Sequence, residues 1–199
     1  MNNIISYITE NYIDIAAASI GLLYLYLEYK ANIRMWPASI IMAVFFVYIF
    51  YSTRLYANMA IYIYFLGASI YGWIAWLTKN RDTDTGRHII LRMPRSHITL
   101  IAMLIISTFI GISFILYYTT NNPIIISTGD ALVTALNIVA LWMASRKWAE
   151  QWCLLIPANF LSGILLFVQG EYASSFMFFV YFIVSIFGYQ NWKKMTIDT

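Results

Sequence analysis

Cysteine, histidine and charge are all scarce in this chain, and each scarcity closes off a class of protein. One cysteine, Cys153, excludes an intramolecular disulfide, and with only two histidines, His88 and His97, the usual three or four ligands of a zinc site cannot be assembled. Charged residues are 11% of the 199, against about 25% in soluble domains, while 61% are hydrophobic and mean hydropathy is +0.70. A soluble globule of this size could not cover so much apolar surface. The 12 Lys and Arg against 9 Asp and Glu leave only +3, too dispersed for the basic stripe of a nucleic-acid binder. There is no Gly-x-x-x-x-Gly-Lys phosphate loop for ATP. No nucleophile and base pair can be put together either, so neither an enzyme nor a cofactor is expected.

What is abundant is uncharged sequence in lengths near the roughly 20 residues a spanning helix needs. Seven stretches stand out: Ile15–Leu27, Trp36–Thr53, Leu55–Thr78, Ile98–Tyr118, Ala131–Ser145, Gln151–Gly170 and Tyr172–Trp192. The first follows Glu10 and Asp14 with no cation before Lys30, so it reads as a permanent helix and not as a cleaved signal peptide. Eleven of the 12 cations fall in or beside the loops after spans 1, 3, 5 and 7; Arg54 alone lies on the opposite face. The positive-inside rule then puts the N-terminus outside and the C-terminus in the cytoplasm, with seven crossings. The loop from Lys79 to Arg95, with Asp82, Asp84 and Gly86, reads as a solvated cytoplasmic linker whose cations touch anionic lipid.

The chain also contains itself twice. An offset of 116 positions, without a gap, pairs Asp14 with Asp130, Trp36 with Trp152, Tyr56 with Tyr172, and Ser69, Gly72 and Trp76 with Ser185, Gly188 and Trp192. Three helices end on the side opposite their start, so a second copy in the same orientation needs one more crossing between them. Span 4 supplies it. The expected organisation is a first bundle at 1–78, a cytoplasmic loop at 79–97, a linker helix and outer loop at 98–129, a second bundle at 130–192 and a cytoplasmic tail at 193–199. Parallel copies of this kind imply an axis along the membrane normal and a site near the midplane between the halves.

Several residues give a more specific likeness. The two triple-helix bundles, the Ser-Ile-Tyr-Gly-Trp-x-x-Trp ending of span 3, Gly129-Asp130 before span 5, and Lys147-Trp-Ala-Glu-Gln-Trp152 before span 6 resemble the PnuC family of bacterial vitamin transporters over essentially all seven spans. The resemblance implies a SWEET-like 3+1+3 fold in the cytoplasmic membrane, a trimer, and facilitated diffusion of a vitamin or its riboside.

Short hydrophobic segments at matching places in two repeats point to a transport site. The uncharged runs of spans 1 and 5 are 13 and 15 residues, about 20 to 23 Å against a core of about 30 Å. In span 5, Asp130, Thr134 and Asn137 recur at i, i+4 and i+7 and share a face that should point inward; as packing groups they would hydrogen-bond across helices instead. Span 6 carries Asn159, Ser162 and Gln169, and Asn159 falls near mid-bilayer, where an amide needs a partner. Spans 3 and 7 carry Tyr62, Phe65, Ser69, Trp73 and Trp76, and Tyr181, Ser185, Tyr189 and Trp192, at helical spacing. Such stripes wall a pocket or form interfacial belts, and Trp76 and Trp192 sit where belts are expected. Glu28 is expected to snorkel or to pair with Lys30 or Arg34. Pro157 is deeper than Pro37 and is the better hinge candidate.

The family's candidate vitamins, thiamine and nicotinamide riboside, carry a cationic heteroaromatic ring, which Trp and Tyr faces attract. With no buried acid pair for proton or sodium coupling, uniport with trapping by a cytosolic kinase is the economical mechanism. Within the family, nicotinamide riboside carriers show a Trp-x-x-Trp in the first half and an Asn-x-x-Trp in the second. Trp73-Ile-Ala-Trp76 fits; Tyr189-Gln-Asn-Trp192 has tyrosine for asparagine, which tilts the expected substrate toward thiamine, with nicotinamide riboside as the alternative. A seven-helix photoreceptor is the rival class, but it would need a lysine within span 7, and Lys193 and Lys194 follow the hydrophobic run.

Overall fold

The computed structural model describes residues 12–52, 54, 56–78, 89–120 and 123–197. Seven long helices follow one another: α1 Tyr12–Tyr29, α2 Met35–Ser52, α3 Tyr56–Thr78, α4 Ile98–Thr119, α5 Ile124–Ser145, α6 Gln151–Val168 and α7 Tyr172–Met195. Helices are the economical answer for so apolar a chain, because they satisfy every interior backbone N–H and C=O locally. By length and composition α2 through α7 are each able to cross a membrane. The first helix is also 18 residues long; it carries Asp14 and Glu28 and is not in that set.

The offset of 116 is a property of the backbone as well as of the letters. Shifted by 116, α2 coincides with α6 at both ends, α3 begins where α7 begins, and α1 ends where α5 ends. The backbone singularities repeat too. Ala31 (φ 48°) matches Lys147 (φ 61°), and Arg54 (φ 60°) matches Gly170 (φ 85°). Left-handed residues are costly for anything but glycine, so their recurrence in both inter-helix turns shows the same turns made twice. α4 lies between the two triplets and packs mainly against α5.

Between triplets the contacts are reciprocal: α3 of the first packs on α5 of the second, and α1 of the first on α7 of the second. The hydrogen bonds follow the same exchange. Trp76 Nε1 donates to the Ala144 carbonyl at 3.0 Å, and its counterpart Trp192 Nε1 donates to the Glu28 carbonyl at 2.8 Å; Glu28 and Ala144 are themselves 116 apart. The C-terminal ends of α1, α3, α5 and α7 therefore meet at one level, and the triplets run parallel, in a 3+1+3 arrangement.

Several boundaries differ from the sequence expectation. α5 begins at Ile124, not Ala131, because Pro123 starts the helix and the polar Ser127–Asp130 segment is its first turns. At 22 residues it is about 33 Å long, so the short-helix argument fails for α5. The segment at 79–88 lies outside the described residues; of 89–97, Arg92 and Pro94–Ser96 are exposed, but Ile90 is fully buried, Ile90–Leu91 pairs in parallel with Thr196–Ile197, and Leu91 exchanges backbone bonds with Lys147 and Ala149. The tail is likewise docked, since α7 runs through Met195 and Thr196 joins that strand pair. Pro37 falls in the first turn of α2, where a missing N–H costs nothing; Pro157 lies inside α6, which continues through it.

Candidate functional site

Where the triplets meet, four tryptophans fill the core. Trp36 and Trp152 enter at the starts of α2 and α6, and Trp76 and Trp192 at the ends of α3 and α7; all four are fully buried. Their rings form a chain with centroids 5.9 Å apart for Trp36–Trp76, 6.1 Å for Trp76–Trp192 and 5.9 Å for Trp152–Trp192. Edge-on geometry at such spacing is favourable for aromatic pairs. Room for the rings is made by Gly72 under Trp36 and Gly188 under Trp152, again 116 apart; a Cβ on Gly188 would stand 2.7 Å from the indole.

The polar groups here are of two kinds. The indole N–H groups of Trp76 and Trp192 are used across the seam, whereas Nε1 of Trp36, Nε1 of Trp152 and both amide atoms of Gln151 are buried with no hydrogen-bond partner. Glu28 joins them. It is 3% exposed and its carboxyl faces Tyr24 and Gln151. This corrects the expectation that Glu28 snorkels or pairs with Lys30 or Arg34: Lys30 instead stands over the Tyr26 and Tyr29 rings, 5.9 and 5.7 Å from their centroids, while α1 and α7 close around the acid. The aromatic site therefore has a buried carboxyl group beside it. Lys147, only 2% exposed, places its ammonium 5.2 Å from the Trp76 ring centroid.

Of the residues expected at the site, Asn159, Ser69, Ser185, Trp76 and Trp192 are buried. Asn159 Nδ2 donates to Ser185 Oγ at 2.9 Å, and Ser185 Oγ in turn donates a hydrogen bond to the Tyr181 carbonyl at 2.7 Å. In the first half, Ser69 Oγ donates to the Phe65 carbonyl at 2.7 Å, the equivalent bond, and lies 2.7 Å from Ser39 Oγ. A small polar tie thus holds α2 to α3 and α6 to α7 in each triplet. Trp73, which sequence favoured over Trp76, is 38% exposed and off the inward face. Tyr62 belongs to an aromatic cluster with Phe46, Phe50 and Phe65 inside the first triplet. Asn137 turns its amide back to the Val133 carbonyl of its own helix at 3.0 Å, and Asp130 is half-buried in α5. Tyr189 is partly buried against the tryptophan cluster.

Trp36, Trp152, Gln151 and Glu28 were not read as site residues. The signal was present in the Trp36–Trp152 and Gly72–Gly188 pairs at one offset, since a large ring and a glycine repeated together imply a close packing place made twice. Two hollows lie apart from the cluster. One, about 360 Å³, is on the α3–α5 seam beside Tyr64, Tyr71 and Trp142; the other, about 290 Å³, is between α4 and α5 near Ser113, Thr120 and Ser127.

Known proteins are similar to this chain over most of its length. The nicotinamide riboside transporter PnuC of Escherichia coli (strain K12) is 24% identical over 203 residues, spanning 92% of this chain and 85% of that protein. The PnuC proteins of Haemophilus influenzae and Neisseria mucosa are 25% and 23% identical over 90% and 94% of the chain, covering 78% and 73% of their own lengths. A crystal structure of the vitamin B3 transporter PnuC superposes with a TM-score of 0.75 at 20% identity, covering 98% of this chain and 86% of that one, which shows the fold. A model of one family, described as nicotinamide mononucleotide transporter, matches residues 11–194. The chain therefore belongs to the nicotinamide mononucleotide transporter family, as a multi-pass inner-membrane transporter and not an enzyme.

Proposed function

We propose that this chain carries nicotinamide riboside across the cytoplasmic membrane by facilitated diffusion, with the tryptophan seam as its binding place. The relatives' names support the choice of riboside over the thiamine that the Tyr189-Gln-Asn-Trp192 motif suggested. The observation that carries the reading is the set of unpartnered polar groups among the clustered indole rings: Trp36 Nε1, Trp152 Nε1 and the Gln151 amide. Each buried orphan costs about 1 to 3 kcal/mol. A ligand with a flat cationic ring and a polar rim of carboxamide and hydroxyls meets both needs, by stacking and cation-π contact worth about 0.5 to 2 kcal/mol per ring and by supplying the missing hydrogen bonds.

Accumulation then depends on a cytosolic kinase that phosphorylates the riboside and traps it. The cation distribution supports an external N-terminus and a cytoplasmic C-terminus, and the family resemblance supports a trimer. Thiamine remains a second reading because Tyr189 packs against the cluster where the riboside carriers' motif has an amide.

Titration of the purified chain by tryptophan fluorescence with nicotinamide riboside, nicotinamide mononucleotide, thiamine and riboflavin tests the proposal. Riboside quenching at micromolar or lower concentration is expected, weakened at least about tenfold (about 1.4 kcal/mol) by Gln151→Leu. That substitution removes an amide without a close hydrogen bond but also takes a polar neighbour from the Glu28 carboxyl, so the melting temperature should change little. Thiamine binding without riboside binding would overturn the choice of substrate.

A further inference from the structure

We infer that Glu28 makes this carrier select a positively charged ring over a neutral ring of the same shape. The inference rests on the transport reading above. Glu28 occupies the last turn of α1, its carbonyl held by Trp192 Nε1 at 2.8 Å, while its carboxyl faces Gln151 at the start of α6 in the other triplet and Tyr24 one turn back. The main chain is thus pinned to the tryptophan cluster and the side chain is aimed across the seam. Among the described residues no Lys or Arg pairs with that carboxyl; Lys30 stands over tyrosine rings and Lys147 over Trp76.

The repeat shows that packing does not require this acid. The positions 116 away from Glu28 and Gln151 are Ala144 and Met35, both fully buried in the equivalent place. The acid and amide therefore occur once in a core that is otherwise built twice, and they give it one polarised side. A carboxyl buried without a cation keeps its proton, because ionising it there is costly, and a fixed positive charge set beside it makes the ionised form favourable. A ligand that brings its own fixed positive charge supplies the partner. Indole faces hold flat rings whether charged or neutral, so stacking alone discriminates poorly; a carboxylate beside the rings discriminates by charge.

The test compares cation and neutral isostere on the full-length chain in detergent: nicotinamide riboside against its 1,4-dihydro form, and thiamine against 3-deazathiamine, with wild type, Glu28→Gln and Glu28→Ala, the last being the residue that the second half uses at position 144. Wild type should prefer the cation of whichever vitamin it carries by at least about tenfold. Both variants should bring the two forms to within about threefold of each other by weakening the cation and leaving the neutral form unchanged, with the melting temperature retained. A wild type without preference, variants that keep it, or equal loss of both forms would overturn the role of Glu28 while leaving transport intact. A wild type that binds neither cation would overturn the transport reading itself.

Discussion

Gly72 lies directly beneath the indole of Trp36, so close that a Cβ added there would run into the six-membered ring. The ring is fully buried between Trp76 and the start of α2 and has no free direction in which to retreat. Gly72→Ala should therefore lower stability by about 1 to 3 kcal/mol despite alanine's better helix propensity, and Gly188→Ala, whose Cβ would stand 2.7 Å from Trp152, should do so by slightly less. Gly67→Ala, with nothing within 4 Å, is the control and should be neutral or stabilising. Thermal unfolding in detergent reads all three.

The two seam bonds provide a second prediction. Trp76→Phe and Trp192→Phe keep a ring but lose the donors to the Ala144 and Glu28 carbonyls. Each should cost about 0.5 to 1.5 kcal/mol, the net worth of one hydrogen bond, because the Glu28 and Ala144 carbonyls keep the backbone N–H groups of Ala31 and Lys147 as donors; the two losses should be similar because the bonds are copies of one another. A large loss at only one of them would mean that the halves are not held symmetrically.

Trp73 and Asn159, both expected from sequence to touch the substrate, differ in burial, and the difference gives a third prediction. Trp73→Ala should change riboside affinity less than about twofold, because the side chain is exposed, off the inward face. Asn159→Ala breaks the 2.9 Å bond to Ser185; interhelical bonds of this kind are worth about 0.6 to 2 kcal/mol in a membrane. A double-mutant cycle with Ser185→Ala should recover a coupling in that range from unfolding midpoints.

Orientation is tested with one engineered thiol. Arg146 is exposed in the turn after α5. In a Cys153→Ala background, Arg146→Cys should react with a membrane-impermeant maleimide in inside-out vesicles and stay unlabelled in intact cells. The reverse pattern would invert the proposed topology.

The repeat was legible because it is written in residues that packing cannot vary freely. A tryptophan facing a glycine, Trp36 with Gly72 and Trp152 with Gly188, survives in both copies when the apolar filling between does not. The start of α5 was not legible, since Ser127, Thr128 and Asp130 interrupt the hydrophobic run while leaving the backbone bonds from Pro123 onward intact. Neither was the choice between Trp73 and Trp76. Three residues apart on one helix, they differ in direction by about 60°, and only the position of α5, with the Ala144 carbonyl waiting, decides which is buried. Glu28 near the end of a short helix looks like any snorkelling acid until α6 brings Gln151 against it. Strands of two residues such as Ile90–Leu91 have no period to detect, and their pairing with Thr196 joins chain segments more than a hundred residues apart.

Uptake of radiolabelled nicotinamide riboside by liposomes containing only this chain, with neither ATP nor an ion gradient, tests the central claim most directly. The account predicts saturable uptake that stops when inside and outside concentrations are equal, and that Gln151→Leu slows markedly at unchanged protein content. Uptake no faster than in empty liposomes, or uptake that appears only when ATP is supplied, would contradict it.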